Sequence, residues 1–137
     1  MVWESLDIRN FSNSDYHAAY QNLDDTKRAR VEKTRQRKDR ICTVAADYLA
    51  RRMLAKAMKC QPRDIVFVYE EGGKPSVIGP YSFSISHSND MVVVAIHEGT
   101  VGIDIEQIRE DRTRKSGYGL SVYSYVKLLV HFILRRA

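Results

Sequence analysis

The sequence has few of the devices by which chains cross-link, export or anchor themselves. It contains two cysteines, Cys42 and Cys60, and they form no CxxC pair, so no zinc site is expected. Such sparse cysteine fits a reducing, cytoplasmic setting. The opening MVWESLDIRNF has no basic region followed by an apolar run, and no signal peptide is expected. The longest apolar run, near the C-terminus, is interrupted by Lys127 and His131. It is too short for an ordinary membrane span. There is one tryptophan, Trp3, and no internal repeat. Acidic residues are in deficit, 17 against 22 lysines and arginines, for a net charge of +5. That balance favours a polyanionic partner: a phosphate-rich ligand, a nucleic acid or an acidic protein.

The chain has 137 residues, 44% of them hydrophobic and 28% charged. That is enough for one compact domain with a real core. Residues 1–10 read as a short strand. Ser14 or Asp15 is the expected cap of a first helix. From Asp24 a long helical pattern runs to Cys60. In its second part Ile41, Val44, Ala45, Tyr48, Leu49, Met53 and Leu54 recur at i, i+3, i+4, i+7, so one face packs on a core. Its first part is polar nearly all round, a separate short helix or a solvated loop. Cys42 falls in the apolar pattern and reads as a buried thiol. Gln61-Pro62 ends the helix.

Strand patterns follow. IVFVYEE alternates, and Gly72-Gly73-Lys74-Pro75 is a turn. In YSFSISHS, Tyr81, Phe83 and Ile85 fall on one side and Ser82, Ser84 and Ser86 on the other. HSND turns, MVVVAI is a buried strand, HEGT turns again, and VGIDIEQI is a further strand. The last three strands predict an antiparallel meander. Helix first and strands later predicts an α+β fold with a helix packed on a small antiparallel sheet. After Arg109 a polar, glycine-bearing stretch reads as loop. LSVYSYVKLLVHFILRRA reads as a helix, apolar nearly all round, with Leu128, Leu129, Phe132 and Ile133 as its sticky face.

Within VGIDIEQI, Asp104 and Glu106 are two residues apart and share a strand face. Their Cα atoms are then roughly 6–7 Å apart. Two carboxylates that close repel, so either lysine or arginine pairs with them on a solvated face, or a cation lies between them. Magnesium fits the second case, because it takes oxygen ligands and commonly uses one or two carboxylates plus substrate phosphates. Ser86, His87 and Ser88 end the SISHS strand, where hydroxyls and an imidazole can donate to phosphate oxygens. Lys74 sits on a tight turn. The segment KRARVEKTRQRKDR supplies Lys27, Arg30 and Lys33. Each feature has a plain structural explanation alone. Together they point to a pyrophosphate-containing ligand.

In order, GGKP, FSISHS, VVVAI and VGIDIEQI, preceded by a basic segment running into LARRML, resemble the N-terminal half of the 4'-phosphopantetheinyl transferases of the surfactin-synthetase-activating type. The resemblance covers roughly residues 1–110. It implies a transferase that moves the phosphopantetheine arm of coenzyme A onto a serine of an acyl or peptidyl carrier protein, leaving adenosine 3',5'-bisphosphate. It implies magnesium held by Asp104 and Glu106, with coenzyme A as co-substrate. Ser86 and His87 match phosphate contacts, Lys74 and Pro75 match residues flanking the adenine, and Lys27 and Arg30 match basic residues near the 3'-phosphate. Asp104, Glu106 and His87 are the candidate catalytic residues.

The departures are as informative. Members of this type are about twice as long, with two similar halves and the active site between them. Their second half carries a WxxKE motif whose glutamate completes the metal site or serves as base. This sequence has no WxxKE after Glu106, and residues 111–137 do not resemble the family. Cys42 stands where many members have an arginine. The expected organisation is therefore residues 1–110 as an N-terminal half-domain and 111–137 as a divergent tail. That tail either comes from a truncated or frame-shifted reading frame or covers the face that a second half would bury. A catalytically inactive module that binds coenzyme A or a carrier protein is the alternative function. Acidic carrier proteins suit a +5 chain either way, and self-association through the half-domain face is a further possibility. Nucleic acid is not an expected partner, because residues 27–40 lack interleaved aromatics and no recognised binding motif accompanies them.

Overall fold

The computed structural model describes residues 1–71, 74–99 and 101–103 with their side chains, and 104–108 and 125–131 as backbone. The fold is α+β, as expected. Strand β1 (Val2–Asp7) leads into a 3-10 turn and three helices, α1 (Asn13–Gln21), α2 (Asp25–Lys33) and α3 (Arg37–Met58). Then come β2 (Phe67–Tyr69), β3 (Pro75–Val77), β4 (Ser82–Ser88), β5 (Met91–His97), β6 (Gly102–Ile108) and β7 (Tyr125–His131).

Capping residues set the helix starts. The cap of α1 is Ser12, not Ser14 or Asp15. The Asp15 amide donates to Ser12 Oγ at 3.0 Å, and the Ser12 amide donates to Asp15 Oδ2 at 2.9 Å. This reciprocal Ser-x-x-Asp pair satisfies two N–H groups that the first turn leaves without partners. Ser12→Ala is expected to cost about 1 kcal/mol, read as a shift of the urea midpoint at constant slope. The segment after Asp24 is a separate helix, one of the two readings its polarity allowed. It ends at Thr34, and α3 begins three residues later. Helix α3 stops at Met58, before Gln61-Pro62, because Lys59 turns left-handed (φ 55°). The Cys60 amide then closes back on the Ala55 carbonyl at 3.0 Å.

The main sheet has the order β1-β5-β4, antiparallel throughout. Central β5 is buried on both faces, which explains its unbroken apolar run. Val92, Val94 and Ile96 pack with Leu49, Met53 and Leu54 of α3. Val93 and Ala95 pack with Val101 and Ile103 on the opposite face. Burying each of the valine, isoleucine, leucine and methionine side chains among them contributes about 1.5–3 kcal/mol. In β4, Tyr81, Phe83 and Ile85 join the α3 side as the alternation predicted. Cys42 is a buried free thiol and Cys60 an exposed one.

Two expectations are corrected. The three-strand meander holds only for β4 and β5. The second edge of β5 is taken by β1, with Val2 opposite Ile96 and Leu6 opposite Val92. Strand β6 instead packs against the sheet's other face, with the Ile103 amide donating to Ser84 Oγ at 3.2 Å. Physically, Val93 and Ala95 need an apolar cover, and Val101 and Ile103 supply it. The second correction concerns the C-terminal helix. Tyr125–His131 is a strand, antiparallel to β6, with Leu129 opposite Asp104 and Lys127 opposite Glu106. A segment apolar nearly all round carries no period that separates helix from strand, and Tyr125, Val126 and Val130 favour the extended form. The rest of the tail, including Phe132 and Ile133, lies outside the described residues, as do Gly72, Gly73 and Thr100 of the predicted turns. Among the described residues, no helix is long and apolar enough to cross a membrane.

Candidate functional site

Strands β2 and β3 pair so that Tyr69 stands opposite Pro75. One face of this ribbon packs on the core through Phe67 and Val77, with the Phe67 and Phe83 rings 5.1 Å apart. Where the ribbon meets β4 lies a cleft of about 250 Å³ lined by Glu70, Lys74, Pro75, Tyr81, Ser82 and Val101, among others. Lys74 is exposed and Pro75 half-buried. Val101 directly precedes β6, so the cleft opens where the strand bearing Asp104 and Glu106 begins. That strand is extended through both positions, the backbone condition for residues i and i+2 to share a face.

The far end of β4 divides the phosphate-contact candidates. Ser86 pairs with Val93 and lies on the face that meets β6, beside the Ser84–Ile103 hydrogen bond. His87 pairs with Val92 and lies on the α3 face, where it is exposed. The turn beyond them is held by Lys38 and Ile8. Asn89 takes the left-handed conformation (φ 53°), which asparagine tolerates. Lys38 of α3 donates to the Asn89 side-chain oxygen and pairs with Asp90 at 3.0 Å. The Ile8 amide donates to the Asp90 carbonyl at 2.8 Å. Lys38 thus brings a cation to the His87 end of β4. In the sequence Lys38 is one more cation of a generally basic segment.

Lys27 and Arg30 part company. Arg30 is exposed in the last turn of α2. Lys27 is 7% exposed. Burial lowers its pKa, and the nearby Asp47 carboxylate partly offsets that. Around it lies a polar network with little local trace in the sequence. Asp24 caps α2 by accepting from the Lys27 amide at 2.7 Å through Oδ1. Its other oxygen accepts from the Tyr69 hydroxyl, also at 2.7 Å. Burial, with the Asp24 hydrogen bond next, drives the Tyr69 pKa upward. Arg51 donates through Nε to Asp47 Oδ1 at 2.6 Å and through Nη1 to the Ile65 carbonyl at 2.8 Å. Its guanidinium lies 4.7 Å from the Phe67 ring centroid. Burial raises the Asp47 pKa against the pull of Arg51, and Asp47 Oδ2 makes no hydrogen bond.

The network holds two carboxylates and two cations, so its formal charges balance. Asp47 and Arg51 stand four apart on α3 and were visible as a pair in the sequence. Asp24 and Tyr69, 45 residues apart, left no local sign. Among the described residues, no group of three or more His, Cys, Asp or Glu is placed to hold a metal ion.

The comparisons with known proteins fall on this scaffold. A family model described as 4'-phosphopantetheinyl transferase, N-terminal, matches residues 10–99. That range runs from α1 to β5 and ends just before β6. The chain is 38% identical over 85 residues to a 4'-phosphopantetheinyl transferase of Bacillus pumilus, covering 61% of this chain and 36% of that protein. It is 35% identical over 99 residues to a phosphopantetheinyl transferase of a Thraustochytrium species, covering 69% and 34%. It is 40% identical over 73 residues to a 4'-phosphopantetheinyl transferase of Aneurinibacillus migulanus, covering 53% and 31%. The chain spans about a third of the length of these curated relatives. With two-thirds of its residues under the family model, the chain belongs to the 4'-phosphopantetheinyl transferase family, through that family's N-terminal region.

Proposed function

We propose that this chain is the coenzyme A-holding part of a magnesium-dependent transferase. The reaction moves the 4'-phosphopantetheine arm of coenzyme A to a serine hydroxyl of an acidic acyl or peptidyl carrier protein. The observation that carries this reading is the family match over residues 10–99. The cleft at Lys74 and Pro75 supports it, because its mixed lining of Pro75, Tyr81 and Val101 with Lys74 and Ser82 suits a flat base beside a lysine. In this reading Lys74 and Pro75 flank the adenine, and Ser86 and His87, on opposite faces of β4, contact phosphate groups of the ligand. Arg30, the solvent-facing member of its pair, meets the 3'-phosphate, with the covered Lys27 adding positive field.

The donor set at Asp104 and Glu106 fits magnesium: two hard carboxylates at alternate strand positions, a number this ion commonly accepts alongside phosphates. Bound there, the ion would neutralise charge developing on the leaving phosphate. The carrier serine would then need in-line placement and a base. A further acidic group beyond Asp104 and Glu106 would have to come from outside the assigned residues. For that reason a module that binds coenzyme A without chemistry is the second reading.

The test is incubation with magnesium, coenzyme A and an apo carrier protein, read by intact mass, alongside calorimetric binding of coenzyme A. A phosphopantetheine mass gain on the carrier is the expected result for the transferase. Magnesium-dependent binding without mass gain favours the binding module. No binding and no transfer would sink both readings.

A further inference from the structure

Two of the elements that carry candidate ligand contacts are remote in sequence: α2, with Lys27 and Arg30, and the β2–β3 ribbon, with Lys74 and Pro75. A single carboxylate joins them. Asp24 Oδ1 takes the Lys27 amide and fixes the first turn of α2. Asp24 Oδ2 takes the Tyr69 hydroxyl, and Tyr69 is the cross-strand partner of Pro75. Below this link, Arg51 holds Asp47, the Ile65 carbonyl and the face of Phe67, so the base of the ribbon is anchored to α3 as well. Both oxygens of Asp24 are engaged, and each bond fixes a different element. An aspartate needed only as a cap would use one of them.

We propose that Asp24 and Tyr69 are positioning residues. Their hydrogen bond sets the spacing between the ribbon that flanks the base of a nucleotide ligand and the helix that meets its remote phosphate. This rests on the coenzyme A reading above. The pair touches no ligand group itself. It acts by holding two rigid elements in register, the condition under which a ligand bridging both gains from each contact without reordering the protein. A ligand lacking the remote phosphate makes no contact with α2 and is indifferent to the spacing.

That asymmetry separates positioning from simple support of the fold. Calorimetric titration of the full chain with coenzyme A and with 3'-dephospho-coenzyme A tests it, on wild type, Tyr69→Phe and Asp24→Ser. Serine keeps a helix cap and removes the second oxygen, so it serves if the phenylalanine variant folds poorly. The expected result is a loss of roughly tenfold for coenzyme A, the worth of one such hydrogen bond, with less than about twofold for the dephospho form. Equal affinities of variant and wild type for coenzyme A overturn the inference. So does an equal loss for both ligands, which marks a merely structural role. Wild-type protein that binds neither ligand overturns the coenzyme A reading and this inference with it.

Discussion

Arg51→Met is expected to lower the unfolding free energy by about 3–5 kcal/mol, the usual cost of removing one partner from a buried ion pair. Arg51 is 4% exposed and Asp47 2%. The substitution deletes the 2.6 Å bond to Asp47 and the 2.8 Å bond to the Ile65 carbonyl. Asp47 already has one oxygen without a hydrogen bond, and only the nearby Lys27 would then offset its charge in the interior. Methionine keeps most of the aliphatic stem, so the loss reports charge and hydrogen bonding more than a cavity. The double variant Asp47→Leu with Arg51→Met is expected to recover at least half of the loss, because replacing both members of a buried pair is far cheaper than orphaning one. Urea unfolding followed by circular dichroism measures both. A single variant within about 1 kcal/mol of wild type would contradict the prediction, since the penalty for a stranded buried charge exceeds that.

The second large effect concerns β6 and rests on the proposed function. Asp104→Ala is expected to weaken magnesium-dependent coenzyme A binding on the order of 100-fold, since even indirect partners of a metal site commonly matter 10–100-fold. In EDTA the variant and wild type should bind alike, because the cleft contacts of Lys74 and Pro75 remain. Glu106→Ala should behave similarly, and Asp104→Asn should not rescue, because an amide lacks the charge the ion requires. Binding that ignores the Asp104 substitution would remove the metal assignment. Equal losses in EDTA and in magnesium would trace the effect to the fold of β6 instead.

Much of the architecture could be read locally. The stripe from Val44 to Leu54 marked the buried face of α3, the alternation of YSFSISHS sorted β4 onto two faces, and the run MVVVAI announced a strand covered on both sides. What could not be read was which segment covers which side. VWESLD and VGIDIEQI both read as strands, and each was eligible for the free edge of β5. The choice depended on covering Val93 and Ala95, a three-dimensional demand with no local trace. The capping pair Ser12 and Asp15 is present as a Ser-x-x-Asp pattern, beside Ser14 and Asp15, which are equally acceptable caps by residue type.

The candidate site divided in the same way. GGKP marked the cleft lysine and proline because turn chemistry is local. Lys27 looked like a solvated arm residue, yet Lys27 and Val31 stand four apart on one face of α2 and are both buried. That i, i+4 pair was the available sign. The Asp24–Tyr69 bond joins residues whose neighbourhoods give no hint of each other, and only the folded chain brings them together.

The pairing of β1 with β5 also bears on how the molecule comes into being on the ribosome. The partners in that ladder are about 90 residues apart in sequence. At a synthesis rate of about 5–20 residues per second, the first strand waits roughly 5–20 s for its partner to be made. During that interval α1, α2 and α3 can form as local helices. The apolar side chains of Val2 and Leu6, meanwhile, have no sheet to join. The central strand, last of the three to be made, is the piece that locks the early segments in place. Nascent chains stalled before Met91 should therefore lack the protease resistance that appears once His97 has emerged.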